Sequence, residues 1–268
     1  AAQMANRHGI LCDLSPAASF ISYNFNLSVN STDFEREAKR ILKEVEAECS
    51  WLYETQHTGR QKGLINYIMW SDVFQCSYCR EELVFWEAAV DSSAGRVQDS
   101  FPCPSCGAQV TKRDLTHATE RVYDKTLTLE IERNRQVPVL IDYSVGGKRY
   151  RKRADDQDLE LISKIESSEI PYWYPNYRMV LRDGEWGDQW RSGYHTGVTH
   201  IHHFFTRRNL WVLSAIVARV KSVGDHRTRS ALLFFVTAAM RYVSRLSKLG
   251  NAYYFDGGGG AINAGSLG

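Results

Sequence analysis

Cys76-Ser77-Tyr78-Cys79 and Cys103-Pro104-Ser105-Cys106 decide how the chain is read, because each pair brings two thiolates within reach of one ion and residues 80–102 separate the pairs. Paired Cys-x-x-Cys units at such a separation describe a four-thiolate zinc ribbon. Zn²⁺ is satisfied by a tetrahedral sulfur cage, so a closed set of Cys76, Cys79, Cys103 and Cys106 is structural and leaves no position for a reacting water. Metal binding on the order of 10–16 kcal/mol can hold together a hairpin-rich segment that has little core of its own. Two disulfides would need an oxidising compartment; nothing in the chain reads as secreted, and a cytoplasmic location is expected. Pro102-Cys103-Pro104-Ser105-Cys106 also supplies half of the zinc-deaminase signature, but the His-x-Glu half that carries the general acid/base is absent upstream.

Around this stretch the composition is that of an ordinary globular protein. A length of 268 residues can hold one large domain or two smaller ones. With 33 basic and 31 acidic side chains the formal charge is +2, so any nucleic-acid surface must come from local clustering. The longest apolar block, Ala231 to Met240, is too short to span a bilayer and is flanked by arginines; it reads as a buried helix, and no membrane partner is expected. Cys12 and Cys49, outside the ribbon, read as inert core residues.

On the N-terminal side of the ribbon, Ala1 to His8 reads as the tail of a helix closing at Gly9, and Ile10-Leu11-Cys12 as a short strand. Asp13-Leu14-Ser15-Pro16 then turns into a helix over Ala17 to Asn24, Pro16 being suited to a first turn. In doubly wound α/β folds an acidic residue at the carboxyl end of the second strand accepts hydrogen bonds from a cofactor ribose, and Asp13 sits where that role requires, with Ser15 and Pro16 shaping the turn. Capping the following helix is the equal alternative. From Ser31 the pattern is helical, with Phe34, Ala38, Ile41, Leu42, Val45, Cys49 and Leu52 on one face, a Thr32/Glu35 capping box and an end near Gly59. Arg60 to Trp70 is expected to be a strand leading into the ribbon, where Leu83–Trp86 and Ala108–Val110 pair and 91–100 form the loop between them.

Beyond the ribbon, Val137 to Arg153 reads as a hairpin turning at Gly146-Gly147. Its return strand, Lys148-Arg149-Tyr150-Arg151-Lys152-Arg153, interleaves cations with a tyrosine, which suits a phosphate backbone. A solvated edge strand guarded by charge is the competing reading, supported by Asp155, Asp156 and Asp158 just beyond. Those aspartates open a helix in which Leu159, Ile162 and Ile165 face the core. Residues 171–205 are rich in aromatic side chains, and His195, His200, His202 and His203 lack a matched carboxylate or cysteine pattern. They read as a hydrogen-bonded turn before the next helix rather than a second metal site. Thr206 is expected to cap that helix, and Arg207 and Arg208 in its first turn oppose the macrodipole, which points to an anion: a phosphate, or an internal carboxylate such as Glu185 or Asp188. A further helix is expected over about Thr228 to Lys248.

The run Gly9-Ile10-Leu11-Cys12-Asp13-Leu14-Ser15-Pro16-Ala17-Ala18, the four-cysteine insertion, Ile170-Pro171-Tyr172-Trp173-Tyr174-Pro175, Gly184-Glu185-Trp186-Gly187-Asp188 and His202-His203-Phe204-Phe205-Thr206-Arg207-Arg208-Asn209-Leu210 together resemble the zinc-ribbon-containing, S-adenosylmethionine-dependent DNA methylases. The likeness covers nearly the whole chain. It implies an α/β fold, a partial Rossmann-like methyltransferase domain with an inserted four-cysteine zinc ribbon and a β-hairpin module. It also implies methyl transfer from S-adenosylmethionine to an exocyclic amino group of DNA, adenine N6 or cytosine N4, with Asp13 on the cofactor ribose. The divisions expected are 1–59 for part of the methyltransferase domain, 60–115 for the ribbon, 116–170 for the basic hairpin and helix, and 171–268 for the aromatic loop, helices and glycine-rich tail. The ribbon would grip DNA together with Lys148, Arg149, Arg151, Lys152, Arg153, Arg207 and Arg208.

The departures from that family matter as much. Its glycine-rich cofactor loop is expected upstream of residue 1 and its catalytic Asp/Asn-Pro-Pro-aromatic tetrapeptide beyond Gly268; the six prolines include no Pro-Pro pair. An internal fragment of a longer protein is therefore expected, with no catalytic residue of its own and no methylation by this segment alone. A restriction or phage-defence partner is a further expectation, and the oligomeric state stays open. The reading from another class is a non-enzymatic zinc-ribbon nucleic-acid-binding module; a third is a nuclease or helicase accessory protein of a phage-defence system.

Overall fold

The computed structural model describes residues 7, 9–91, 96–181, 184–185 and 196–245. The helix expected over 1–8, of which Arg7 alone is described, otherwise lies outside the described residues, as do Trp186 to Asp188, His195 and the glycine-rich tail. In chain order the elements are α1 (Pro16–Asn26), α2 (Ser31–Cys49), β1 (Glu54–Gln56), β2 (Lys62–Cys76), β3 (Glu82–Val84), α3 (Phe85–Ala89), β4 (Val90–Asp91), β5 (Arg96–Val97), β6 (Ser100–Pro102), β7 (Gln109–Thr111) and β8 (Leu115–His117). They continue with β9 (Thr119–Asp124), β10 (Leu129–Asn134), β11 (Gln136–Val145), β12 (Lys148–Lys152), α4 (Asp156–Ser167), α5 (Arg207–Lys221) and α6 (His226–Val243). The chain thus mixes α and β. Every strand ladder among the described residues is antiparallel, so the parallel, doubly wound sheet of a Rossmann-like domain is not among them. No helix among the described residues is long and apolar enough to cross a membrane.

Two compact units emerge. The first draws on Ala1–Trp51, Ile170–Trp173 and Asn209–Val243. In it, α2 starts because the Asn30 side chain accepts the N–H groups of Thr32 (2.9 Å) and Asp33 (3.2 Å), so the cap lies at Asn30 and not in the expected Thr32/Glu35 box. Its apolar stripe buries Ile41, Val45 and Cys49, and the helix stops at Cys49, well short of Gly59. Asp225 caps α6 by accepting the Thr228 N–H at 2.7 Å. The expected strand at Ile10–Cys12 is irregular chain instead: Ile10 is 98% exposed, and an apolar run without a partner strand has no ladder to join. The helix after it, α1, buries none of its residues, although Phe20 and Phe25 meet Phe234 of α6 edge-on at 5.9 and 5.5 Å between centroids.

The second unit draws on Leu52–Glu169, Tyr174–Arg208 and Ser244–Gly268. Its spine is β2, which pairs with β1 and β11 along its first part and with β3 and β8 at its far end; β12 lies at the outer edge beside β11. The β11–β12 hairpin turns at Gly146 and Gly147, as expected, with φ of 55° and 79°. Two successive positive-φ residues match the right-handed twist of the flanking strands, a conformation that glycine adopts without strain. Ile65, Ile141 and Tyr143 form a core on one face of this sheet. In the ribbon, the 83–86 and 108–110 stretches do not pair with each other: β3 joins β2, and β7 joins β6. Asp155 and Asp158 cap α4 reciprocally, while Leu159, expected in the core, is 45% exposed.

Candidate functional site

The four cysteines are brought together by one turn used twice. Cys76 N–H donates to Glu81 O at 3.0 Å and Arg80 N–H to Cys76 O at 2.9 Å; Cys103 N–H donates to Ala108 O at 2.8 Å and Gly107 N–H to Cys103 O at 2.9 Å. Arg80 and Gly107, each one residue past the second cysteine of its pair, share a positive φ of 61° and 73°. The two turns set Cys76 Sγ 4.0 Å from Cys106 Sγ and Cys79 Sγ 3.8 Å from Cys103 Sγ, with all four sulfurs within 4.8 Å of one another. A tetrahedral ion with Zn–S bonds of about 2.3 Å requires sulfur–sulfur edges of about 3.8 Å. The cluster can therefore hold a metal such as zinc. Phe74, Leu83, Phe85, Phe101, Val110 and Leu115 pack around Cys76 and Cys103 and keep water off that side.

The sulfur electrostatics are compatible with a bound cation. The Cys106 N–H, against burial and with help from the Ser105 N–H, lowers the Cys103 thiol to about 7. The Glu81 N–H favours a thiolate at Cys79 too, yet burial and the neighbouring Cys106, Cys76 and Cys103 sulfurs raise that thiol to about 12. Four thiolates cannot stand side by side unless a divalent ion compensates them.

On the hairpin, the basic residues are individually placed. Arg149 Nε donates to Asp142 Oδ1 at 2.6 Å and Arg151 Nε to Asp142 Oδ2 at 3.1 Å. Lys152 Nζ reaches Asp155 at 2.5 Å and Asp158 at 2.8 Å, and Arg153 lies 3.5 Å from Glu87. Of the aspartates expected to neutralise the strand, Asp155 and Asp158 thus take Lys152, while the arginine pair uses Asp142 of the facing strand. Burial pushes the Asp142 carboxyl up, but its bonds from Asn66, Arg149 and Arg151 outweigh this and hold it below the usual carboxylate range. Arg207 Nε donates to Ser168 O at 2.7 Å. Arg208 is buried with its guanidinium 5.5 Å from the Tyr53 ring centroid, and burial lowers it from its ordinary value.

Asp13 accepts the Ser15 N–H at 2.8 Å through Oδ1, and Ser15 Oγ in turn accepts the Ala18 N–H at 3.4 Å, with Pro16 opening α1. The carboxylate shapes the turn and leaves Oδ2 without a hydrogen bond among the described residues.

One cluster was not foreseen. Asp124 Oδ2 accepts Nε2–H groups from both His202 and His203 at 2.8 Å, and Asp124 Oδ1 accepts the N–H groups of Thr126 (2.8 Å) and Leu127 (3.1 Å). These three side chains also lie within metal-binding reach of one another. His203 Nδ1, however, accepts the backbone N–H groups of Thr199 (3.1 Å) and His200 (3.3 Å), which places its proton on Nε2 and makes that nitrogen a donor. A ligating histidine normally donates its second N–H outward, the reverse of this arrangement. All four acceptor positions of the carboxylate are filled, so the trio is a hydrogen-bonded pin between the β9–β10 turn and the 199–204 segment. The sequence reading gave His202 and His203 hydrogen bonds in a turn and no metal; it did not name Asp124, whose local mark is the Asp124-Lys125-Thr126 turn. Set against protein-family models, curated proteins and solved structures, the chain matches none.

Proposed function

We propose that this chain is the zinc-ribbon-bearing part of an S-adenosylmethionine-dependent DNA methyltransferase that modifies an exocyclic amino group, adenine N6 or cytosine N4. The observation that carries the reading is the state of residues 9–26. Ile10, Leu11 and Leu14 are exposed, the helix that follows buries nothing, and the turn between them opens on Asp13, whose Oδ2 has no hydrogen bond among the described residues. An exposed apolar run, a turn and a helix of this kind would suit a unit that completes the sheet of a Rossmann-like domain, and that fit supports the reading. Asp13 Oδ2 would accept from the ribose hydroxyls of S-adenosylmethionine, which when bound supplies the methyl group. Cys76, Cys79, Cys103 and Cys106 would hold a zinc ion that keeps the ribbon folded and takes no part in the chemistry.

The test is S-adenosylmethionine binding by the intact protein that carries this chain, followed by calorimetric titration. Asp13→Ala should weaken binding about tenfold or more, the scale of a lost charge-assisted hydrogen bond; equal affinity in the variant would remove Asp13 from the cofactor site. A non-enzymatic zinc-ribbon module that binds nucleic acid is the second reading. It is favoured by the antiparallel sheet, whose spine runs directly into the ribbon. That reading requires DNA binding with no affinity for the cofactor.

A further inference from the structure

Arg208 carries a buried charge to which the described residues offer no hydrogen-bond acceptor. The residue is 8% exposed, and its Nε and Nη2 atoms are both enclosed and both unmet. Those two nitrogens form one edge of the planar guanidinium, along which an Nε–H and an Nη2–H point the same way. It is the edge that meets the two oxygens of an oxyanion bidentately. The Tyr53 ring, packed against the Ile65, Ile141 and Tyr143 core, lies 5.5 Å from the guanidinium and attracts its charge through the π face. Asp158 and Glu166 of α4 attract it through space. The Asp158 oxygens are already engaged, Oδ1 by Thr55 Oγ1 at 2.5 Å and Oδ2 by Lys152 Nζ at 2.8 Å and the Asp155 N–H at 3.1 Å. Arg207 differs from its neighbour, since its Nε–H is spent on Ser168 O.

We propose that the Nε–Nη2 edge of Arg208 is a binding site for one carboxylate, carried by a small organic acid. A guanidinium shut away from water with two donors unmet is costly, and a bidentate partner returns both the charge and the hydrogen-bond energy. Charge selects the carboxylate: a monoanion balances Arg208, whereas the second charge of a phosphate dianion would be repelled by Asp158 and Glu166. Burial selects the size. An edge enclosed in this way is not offered to a polymer lying on the surface, so the site is distinct from any contact with a DNA backbone, and the inference does not depend on the methyltransferase reading. The acid enters by local opening of the cover over the two nitrogens, and its exchange is accordingly slow.

The full zinc-loaded chain, isotope-labelled at arginine, is titrated at neutral pH with sodium acetate, sodium phosphate or sodium chloride at matched ionic strength. The Arg208 Nε–H resonance is assigned through its own side-chain carbons and followed by nuclear magnetic resonance. Acetate should shift it downfield to saturation and slow its exchange with water about tenfold or more. No response to acetate, or a response to phosphate as large, would overturn the proposal. So would a signal already shifted and protected in chloride, because an acceptor within the chain would then hold the edge. Arg208→Met, which removes the charge and keeps the length of the stem, gives a second readout. In chloride its melting temperature should equal or exceed that of the parent, since a buried unpaired charge gives way to an apolar side chain. With acetate at about ten times its dissociation constant, the parent alone should gain about 3 °C. If Arg208→Met instead loses the same several degrees in both solutions, the guanidinium is a structural partner of Tyr53 and the carboxylate site falls. Should Arg208→Met not fold, the titration of the parent decides the matter alone.

Discussion

His203 and Asp124 meet at 2.8 Å, Nε2 to Oδ2, from positions 79 apart in the chain. Burial pushes the Asp124 carboxyl up, but the hydrogen bonds from His202 and His203 and from the Leu127 N–H outweigh it and hold the group far below its ordinary range. A carboxyl depressed in the folded state contributes stability that is complete above its unfolded value, about 4, and is lost as pH falls from there toward the depressed folded value. Asp124→Asn should therefore lower the unfolding free energy by about 2–4 kcal/mol at neutral pH, the cost of weakening a buried charged network. The gap between variant and parent should narrow as pH drops below about 4. Urea unfolding of both proteins across that range checks it, and a gap independent of pH would refute it.

The ribbon predicts one tightly held zinc per chain. With Cys79 at about 12 and Cys103 at about 7 before metal binds, loading at neutral pH must release protons. Calorimetric titration in buffers of different ionisation enthalpy should show that release, and Co²⁺ should give the absorption of a tetrahedral thiolate site. Cys103→Ser should abolish stoichiometric zinc and expose residues 76–117 to protease; zinc retained at full stoichiometry would place the ion elsewhere.

What could be read from sequence and what could not divide along a physical line. The cysteine pairs and the Gly146-Gly147 turn are local signals whose geometry is set within a few residues, and both were legible. So was most of the amphipathic stripe of α2, although Leu42, expected on that face, is 57% exposed; Asn30 and Thr32 are both competent caps and only the folded backbone chooses between them. Ile10–Cys12 has the composition of a strand, but a strand exists only where a partner does, and composition does not state one. Asp124 was invisible because its histidines lie 78 and 79 positions away. Asp142 gives no sign of its arginines until the hairpin register sets it opposite Arg151.

Gly197 is the position where a single methyl group should do most harm near the histidines. Its φ is +82°, and a Cβ there would lie 2.5 Å from both Glu132 O and Arg133 Cβ on β10. Backbone strain and overpacking then act together, so Gly197→Ala should cost about 2–4 kcal/mol. Gly146→Ala, with a positive φ but open space around it, should cost only about 1–2 kcal/mol. Thermal denaturation of the two variants side by side separates the packing contribution from the backbone one, and equal losses would contradict the close approach.

The aromatic segment at 170–173 is held within its own unit by a charged network. Tyr172 OH donates to Glu48 at 2.6 and 2.7 Å, Arg219 pairs with the same carboxylate, and its guanidinium lies 5.6 Å from the Tyr172 ring centroid. Because Tyr172 and Arg219 share one acceptor, their contributions cannot add. Glu48 is about one-third exposed, so solvent screening limits its worth, and Tyr172→Phe alone should cost about 1 kcal/mol. Combined with Glu48→Gln it should cost less than the sum of the two single changes, with a coupling of about 0.5–1 kcal/mol. A strictly additive double-mutant cycle would mean that the hydroxyl and the carboxylate act independently, and that packing of the Tyr172 ring, not its hydrogen bond, fastens the segment.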